Sequence, residues 1–101
     1  MADDAPLIES FLEMLAAERG AALNTLEAYR RDLAHFGDFL ARRRTGLRDA
    51  DAEAIRAYLA RLEGAGYAPR TAARRLSALK QFYRFLYADG LRGDDPAAAL
   101  E

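Results

Sequence analysis

Apolar residues recur at helical spacing in four separate blocks of this chain, and glycine stands at or soon after the end of each. An apolar residue every three or four positions lays one face of a helix on a core, whereas a half-buried strand needs strict alternation. No block alternates convincingly, and no internal repeat or low-complexity stretch breaks the pattern. Helices joined by short connections are therefore the architecture this chain can reach.

The first block predicts a helix from about Ala5 to Arg19, with Leu7, Ile8, Phe11, Leu12 and Leu15 inward. Asp4 is placed to cap it, Pro6 is tolerated in the first turn and Gly20 suits the end. The second predicts a helix from Thr25 to Arg43, with Leu26, Tyr29, Leu33, Phe36 and Leu40 inward. Asn24 with Glu27 three residues later reads as a capping box, and Gly46 lies in the following loop. The third runs from Ala52 to Glu63 behind Asp51, buries Ile55, Tyr58, Leu59 and Leu62, and stops at Gly64-Ala65-Gly66. The fourth runs from Pro69 to Ala88, buries Ala72, Leu76, Leu79, Phe82, Tyr83 and Leu86, and ends at Gly90. Asp94-Asp95-Pro96 then caps a short segment that begins either a fifth helix or a linker. Connections of a few residues favour antiparallel neighbours, so the expected fold is all-α: two helical hairpins, first with second and third with fourth, crossed over one another.

With 101 residues and 51% hydrophobic content, the chain is expected to form one folded domain around one core. Cysteine is absent, which excludes disulfides and thiolate metal sites and fits a reducing cytoplasm. The opening Met1 to Phe11 segment is acidic where a signal peptide is basic, and no apolar run reaches the ~18 residues a membrane span requires. A cytoplasmic protein without membrane association is expected.

The net charge of −1 conceals a polarised distribution. Residues 1–23 carry Asp3, Asp4, Glu9, Glu13 and Glu18 against Arg19 alone. Residues 70–84 carry Arg70, Arg74, Arg75, Lys80 and Arg84 and no acid. A polyanion responds to a local face, not to the sum over the chain. At 100° per residue Arg70, Arg74, Ser77, Gln81 and Arg84 fall opposite the fourth apolar stripe. A merely solvated face mixes signs, because like charges at i,i+4 repel; Arg70 and Arg74 are such a pair. This face predicts contact with nucleic acid. The second helix offers a weaker one through Asn24, Ala28, Arg31 and His35, with Thr25 in the first turn, where free amides and the helix dipole favour phosphate.

Other chemistry has little to stand on. His35 is the only histidine and has only Asp32 and Asp38 near it in sequence, so no metal site and no Ser-His-Asp triad is expected. No glycine-rich phosphate loop is present. Tyr29, Tyr58 and Tyr83 read as core. No cofactor and no small-molecule substrate is expected. The alternative to nucleic-acid binding is a helical protein–protein module whose basic face docks an acidic partner.

Two long segments carry a resemblance. Asn24 through Leu33 (NTLEAYRRDL) and Tyr67 through Leu86 (YAPRTAARRLSALKQFYRFL) resemble the corresponding segments of the tyrosine site-specific recombinases, the phage-integrase group, and among them the Xer recombinases. The Asp94-Asp95-Pro96-Ala97 exit fits too, and the likeness covers residues 6–100. The Asp-Asp-Pro and Asn-Thr-Leu segments favour the XerD-like subgroup over the XerC-like. The resemblance implies an N-terminal core-binding domain of SAM-like fold over residues 1–96, with 97–101 opening an interdomain linker or a short helix. It further implies one half of a clamp on duplex DNA at a recombination half-site, used in chromosome dimer resolution or integration, beside other recombinase protomers in a DNA-bound tetramer. Position by position, the family's DNA contacts fall on Thr25 and Arg31 and on Arg70, Thr71, Arg74 and Ser77, with Lys80 as a backbone contact. The family's catalytic domain, which forms the 3′-phosphotyrosyl intermediate, follows this domain. Its His-x-x-Arg motif does not occur here, so no catalytic residue is assigned. Ala68 stands where the family often has Ser.

Overall fold

The computed structural model describes residues 4–100. Four helices follow one another: α1 (Ala5–Arg19), α2 (Leu23–Arg42), α3 (Ala52–Gly64) and α4 (Pro69–Ala88). No strand occurs among the described residues. The chain divides into two compact units, with the break between Leu47 and Arg48. Asp3, counted in the acidic N-terminal segment, and Glu101, the last residue of the expected linker, lie outside the described residues.

In the first unit α1 and α2 form a helical hairpin. Ile8, Phe11, Leu12 and Leu15 are buried on α1, and Leu33, Phe36 and Leu40 on α2. Leu7, Leu26 and Tyr29 are only partly covered; the Tyr29 ring lies 6.2 Å from that of Phe11. Asp4 precedes α1 but does not cap it. Its backbone is helical (φ −84°, ψ −13°), whereas a capping residue needs extended backbone to turn its side chain onto the first amides. The Asp4 carboxylate instead accepts the Leu47 amide at 3.0 Å, tying the end of the unit to its beginning. The capping box expected at Asn24 and Glu27 does not form either. Ala22 (φ −70°, ψ 154°) is the extended residue, so α2 starts two residues earlier than expected. Asn24 and Thr25 are its second and third residues, and Glu27 faces Arg30 at 3.9 Å.

In the second unit α3 and α4 pair. Asp51 caps α3 as expected: its backbone is extended (φ −102°, ψ 177°) and its carboxylate accepts the Ala54 amide at 2.8 Å. Ala68 is the extended residue before α4 and offers no side-chain oxygen; Pro69 opens the helix. The buried positions are Ala54, Ile55, Tyr58 and Leu62 on α3 and Ala78, Leu79, Phe82, Tyr83, Phe85 and Leu86 on α4. Leu59, Ala72 and Leu76, expected in the core, remain partly open. Residues 96–99 form a turn, not a fifth helix, and Ala97 and Leu100 are buried. Arg92 fixes this segment. Its guanidinium donates to the Arg48 carbonyl at 2.9 Å and the Ala50 carbonyl at 2.5 Å, meets the Asp94 carboxylate at 2.6 Å, and lies 5.5 Å from the Tyr83 ring centroid.

Candidate nucleic-acid interface

Twenty residues of α4 give a rod about 30 Å long. On it Arg70, Arg74, Ser77, Gln81 and Arg84 fall within an arc of about 80°; the buried Leu79, Phe82, Tyr83 and Leu86 lie on the far side, and Ala78 and Phe85 are buried along one edge of the stripe. Arg70, Arg74, Ser77 and Arg84 are exposed, and Gln81 is half-buried. Leu79, Phe82 and Tyr83 take the inner side because their burial holds the helix in one rotation; the outer stripe follows from that.

The stripe is cationic and ready to donate. No carboxylate occurs from residue 70 to residue 84. Among the described residues Arg70 and Arg84 make no ion pair. Gln81 Nε2 donates to Ser77 Oγ at 3.2 Å, which leaves the Ser77 hydroxyl proton able to donate outward. Thr71 and Lys80 flank the stripe on opposite shoulders, about 100° and 80° from Arg70, and both are half-buried. Arg75 turns away from the stripe, with its guanidinium 4.7 Å from the centre of the Tyr67 ring.

Beside Lys80 and Ser77 lies an open groove of about 610 Å³ between α3 and α4, floored by Leu59, Pro69, Ala73 and Leu76. It explains why Leu76 is not core: periodicity marks a residue as apolar and inward-leaning, but the neighbouring helix does not close over it.

Thr25 and Arg31 belong to the first unit, on α2, and both are exposed. Arg30 and Arg31 are adjacent yet differently employed. Arg30 pairs with Glu9 of α1 and faces Glu27, whereas Arg31 makes no ion pair among the described residues. Thr25, in the first turn, stands among amides that have no partner within the helix. His35 is half-buried and Asp32 is buried. Among the described residues no group of three or more His, Cys, Asp or Glu side chains could hold a metal ion, and no helix is long and apolar enough to cross a membrane. Arg92 and the Arg42-Arg43-Arg44 run carried no expected role; the run was legible as charge at the expected end of the second helix, but the left-handed backbone of Arg44 was not.

The chain is similar to the tyrosine recombinase XerD of Rhizobium meliloti (strain 1021), 57% identical over 97 residues, covering 96% of this chain and 31% of the relative. It is 52% identical over 98 residues to that of Agrobacterium fabrum, covering 97% and 30%. It is 54% identical over 89 residues to that of Caulobacter vibrioides, covering 88% and 29%. The chain thus spans about 30% of the length of the curated relatives it matches. A sequence model of the phage integrase N-terminal SAM-like domain matches residues 8–90, which takes in all of α2, α3 and α4 and most of α1. With four helices, no described strand and that match, the chain belongs to the phage integrase N-terminal SAM-like domain family.

Proposed function

We propose that this chain binds duplex DNA at a recombination half-site, as the N-terminal clamp domain of a XerD-type tyrosine recombinase, and positions a separate catalytic domain. The observation that carries the reading is the α4 stripe. It holds three arginines and two hydrogen-bonding side chains, no acid, and two cations that nothing among the described residues neutralises. Phosphates attract such a stripe whatever the sequence, while Arg, Ser and Gln are side chains that also read base edges in the major groove. Arg70, Thr71, Arg74 and Ser77 act as the contact set on α4, with Lys80 toward the backbone; Thr25 and Arg31 act on α2. The chemistry belongs to the catalytic domain, where a tyrosine forms the 3′-phosphotyrosyl intermediate; this chain supplies binding and register.

The test is an anisotropy titration on a duplex selected by this chain from a randomised pool. Replacing Arg70 and Arg74 together by Ala should lower the slope of log K against log salt by about 0.9 for each phosphate contact removed. An arginine that reads a base should instead cost about 1–3 kcal/mol on the selected duplex and little on a scrambled one. Unchanged binding by the double variant refutes the assignment.

The groove favours a second role for the same domain. Its floor of Leu59, Pro69, Ala73 and Leu76, with Tyr67 at its edge 40% exposed, suits an apolar side chain from a neighbouring recombinase protomer assembled on DNA. Leu76→Asp should then leave single-site binding intact and weaken assembly of several protomers on paired sites, read by analytical ultracentrifugation.

A further inference from the structure

Each of the four helices ends on a residue in the left-handed region, and one of the four is not glycine. α1 ends at Gly20 (φ 59°), α3 is followed by Gly66 (φ 83°) and α4 by Gly90 (φ 72°). After α2 the position is taken by Arg44 (φ 61°), the one described non-glycine residue with positive φ. The hydrogen bonding is the same at the last three ends. Thr45 N–H returns to Leu40 O at 3.1 Å and Arg44 N–H to Ala41 O at 3.1 Å, as Tyr67 and Gly66 return to Leu62 and Glu63, and Leu91 and Gly90 to Leu86 and Tyr87. The turn itself therefore asks for glycine. A side chain here brings Cβ against the following carbonyl oxygen. Strain kept at an exposed position points to work done by the side chain.

Arg44 is the last of three consecutive arginines, Arg42, Arg43 and Arg44, all exposed. One carboxylate, Asp38, stands against them between residues 38 and 47, which leaves a local excess of positive charge larger than a helix C-terminus needs. Arg43 lies over the Phe39 ring at 5.6 Å. Arg42 and Arg44 make no ion pair among the described residues. The placement of Arg42, the last residue of α2, relates to Arg31. Eleven residues separate Arg31 from Arg42, three full turns, so the two share a face within about 20° and stand about 16 Å apart along the axis. That separation exceeds the roughly 12 Å width of the major groove. A helix that enters the groove at Arg31 and runs across it brings its end to the rim, where the phosphates are.

We propose that Arg42, Arg43 and Arg44 form a phosphate clasp on duplex DNA, and that Arg44 is held in a strained backbone conformation to aim its guanidinium at that strand. The clasp rests on the DNA-binding reading above and adds to it a contact surface at the far end of α2. It contributes affinity and register but no base preference.

The test uses the whole chain and a labelled 30-base-pair duplex of mixed sequence, with binding measured by anisotropy across a salt series. Arg44→Gly should raise the melting temperature, because the strain is relieved, and yet weaken binding. Loss of one phosphate contact lowers the salt slope by about 0.9, which extrapolates to about eightfold weaker binding at 0.1 M salt. Arg56→Ala, an exposed arginine on α3, removes the same charge and should leave the slope unchanged. A stabilised Arg44→Gly variant that binds with the wild-type slope overturns the clasp. So does an equal loss from Arg56→Ala, which would mean that only net charge matters. The Arg70/Arg74 variant separates the two readings: if it loses binding while Arg44→Gly does not, the α4 interface stands and the clasp falls. A wild-type chain that does not bind the duplex at any salt overturns both.

Discussion

Replacing Arg92 by Ala should markedly destabilise the second unit. The side chain is only 11% exposed and joins the residues before α3 to those after α4. Its loss leaves the Ala50 carbonyl, at a residue 1% exposed, without its charged donor. A hydrogen bond from a charged donor contributes about 1.5–3 kcal/mol. The Arg48 carbonyl is exposed and can turn to water, so its share is smaller, and contact with the Tyr83 ring adds about 0.5–1 kcal/mol. The Asp94 partner is 67% exposed and adds little. Together these predict a loss of about 3 kcal/mol, or about 12–24 °C in Tm for a domain of this size. Arg92→Lys should recover only part, because an ammonium is a point charge and cannot fork toward two carbonyls and a carboxylate at once. Urea denaturation followed by circular dichroism reads the change, provided the m-value is constant. A loss under about 1 kcal/mol for Arg92→Ala, or full recovery by Lys, would refute the reasoning.

The same pairing gives a pH dependence. The hydrogen bond from Arg92, aided by its charge, holds the Asp94 carboxyl below its ordinary value. A depressed carboxylate contributes stability that is present above its unfolded pKa and lost as pH falls through the folded one, so the wild type should lose this contribution below about pH 3.9; thermal melts in that range should show a shallower acid slope for Arg92→Ala. Asp51→Ala removes the Ala54 amide's acceptor and should cost about 1 kcal/mol, while Ala68→Ser supplies the missing oxygen before α4 and should gain up to a similar amount, both by urea titration. Leu79→Ala should cost about 2–5 kcal/mol because Leu79 is fully buried; Leu76→Ala should cost clearly less, since its side chain lines the open groove. Equal losses at the two leucines would contradict the groove.

The limits of α1 and α4 follow from local signals alone: apolar spacing, a proline in the first turn and a glycine beyond the last. Asp51 was legible as a cap for the same reason, since the residue and the amide it serves are three positions apart. Asn24 shows where such signals fail. The motif is correct as a string, but whether Asn24 caps depends on where the backbone leaves the extended region, and that point is Ala22. Asp4 fails likewise, because its carboxylate is taken by an amide 43 residues away.

The basic stripe of α4 was readable from sequence because residues on one helix share a face by rotation alone. Charge, period and the absence of acid are all local properties of residues 70–84. Tertiary structure decided which of these cations remain uncommitted. Arg30 and Arg31 are indistinguishable in the string, and only the fold sets Glu9 beside the first. It also decided that Leu76 lines a groove while Leu79 is core, that Arg92 closes the second unit, and that Arg44 occupies a glycine's conformation. Each depends on a partner distant in sequence or on a backbone angle fixed by the chain around it, and a residue's identity specifies neither.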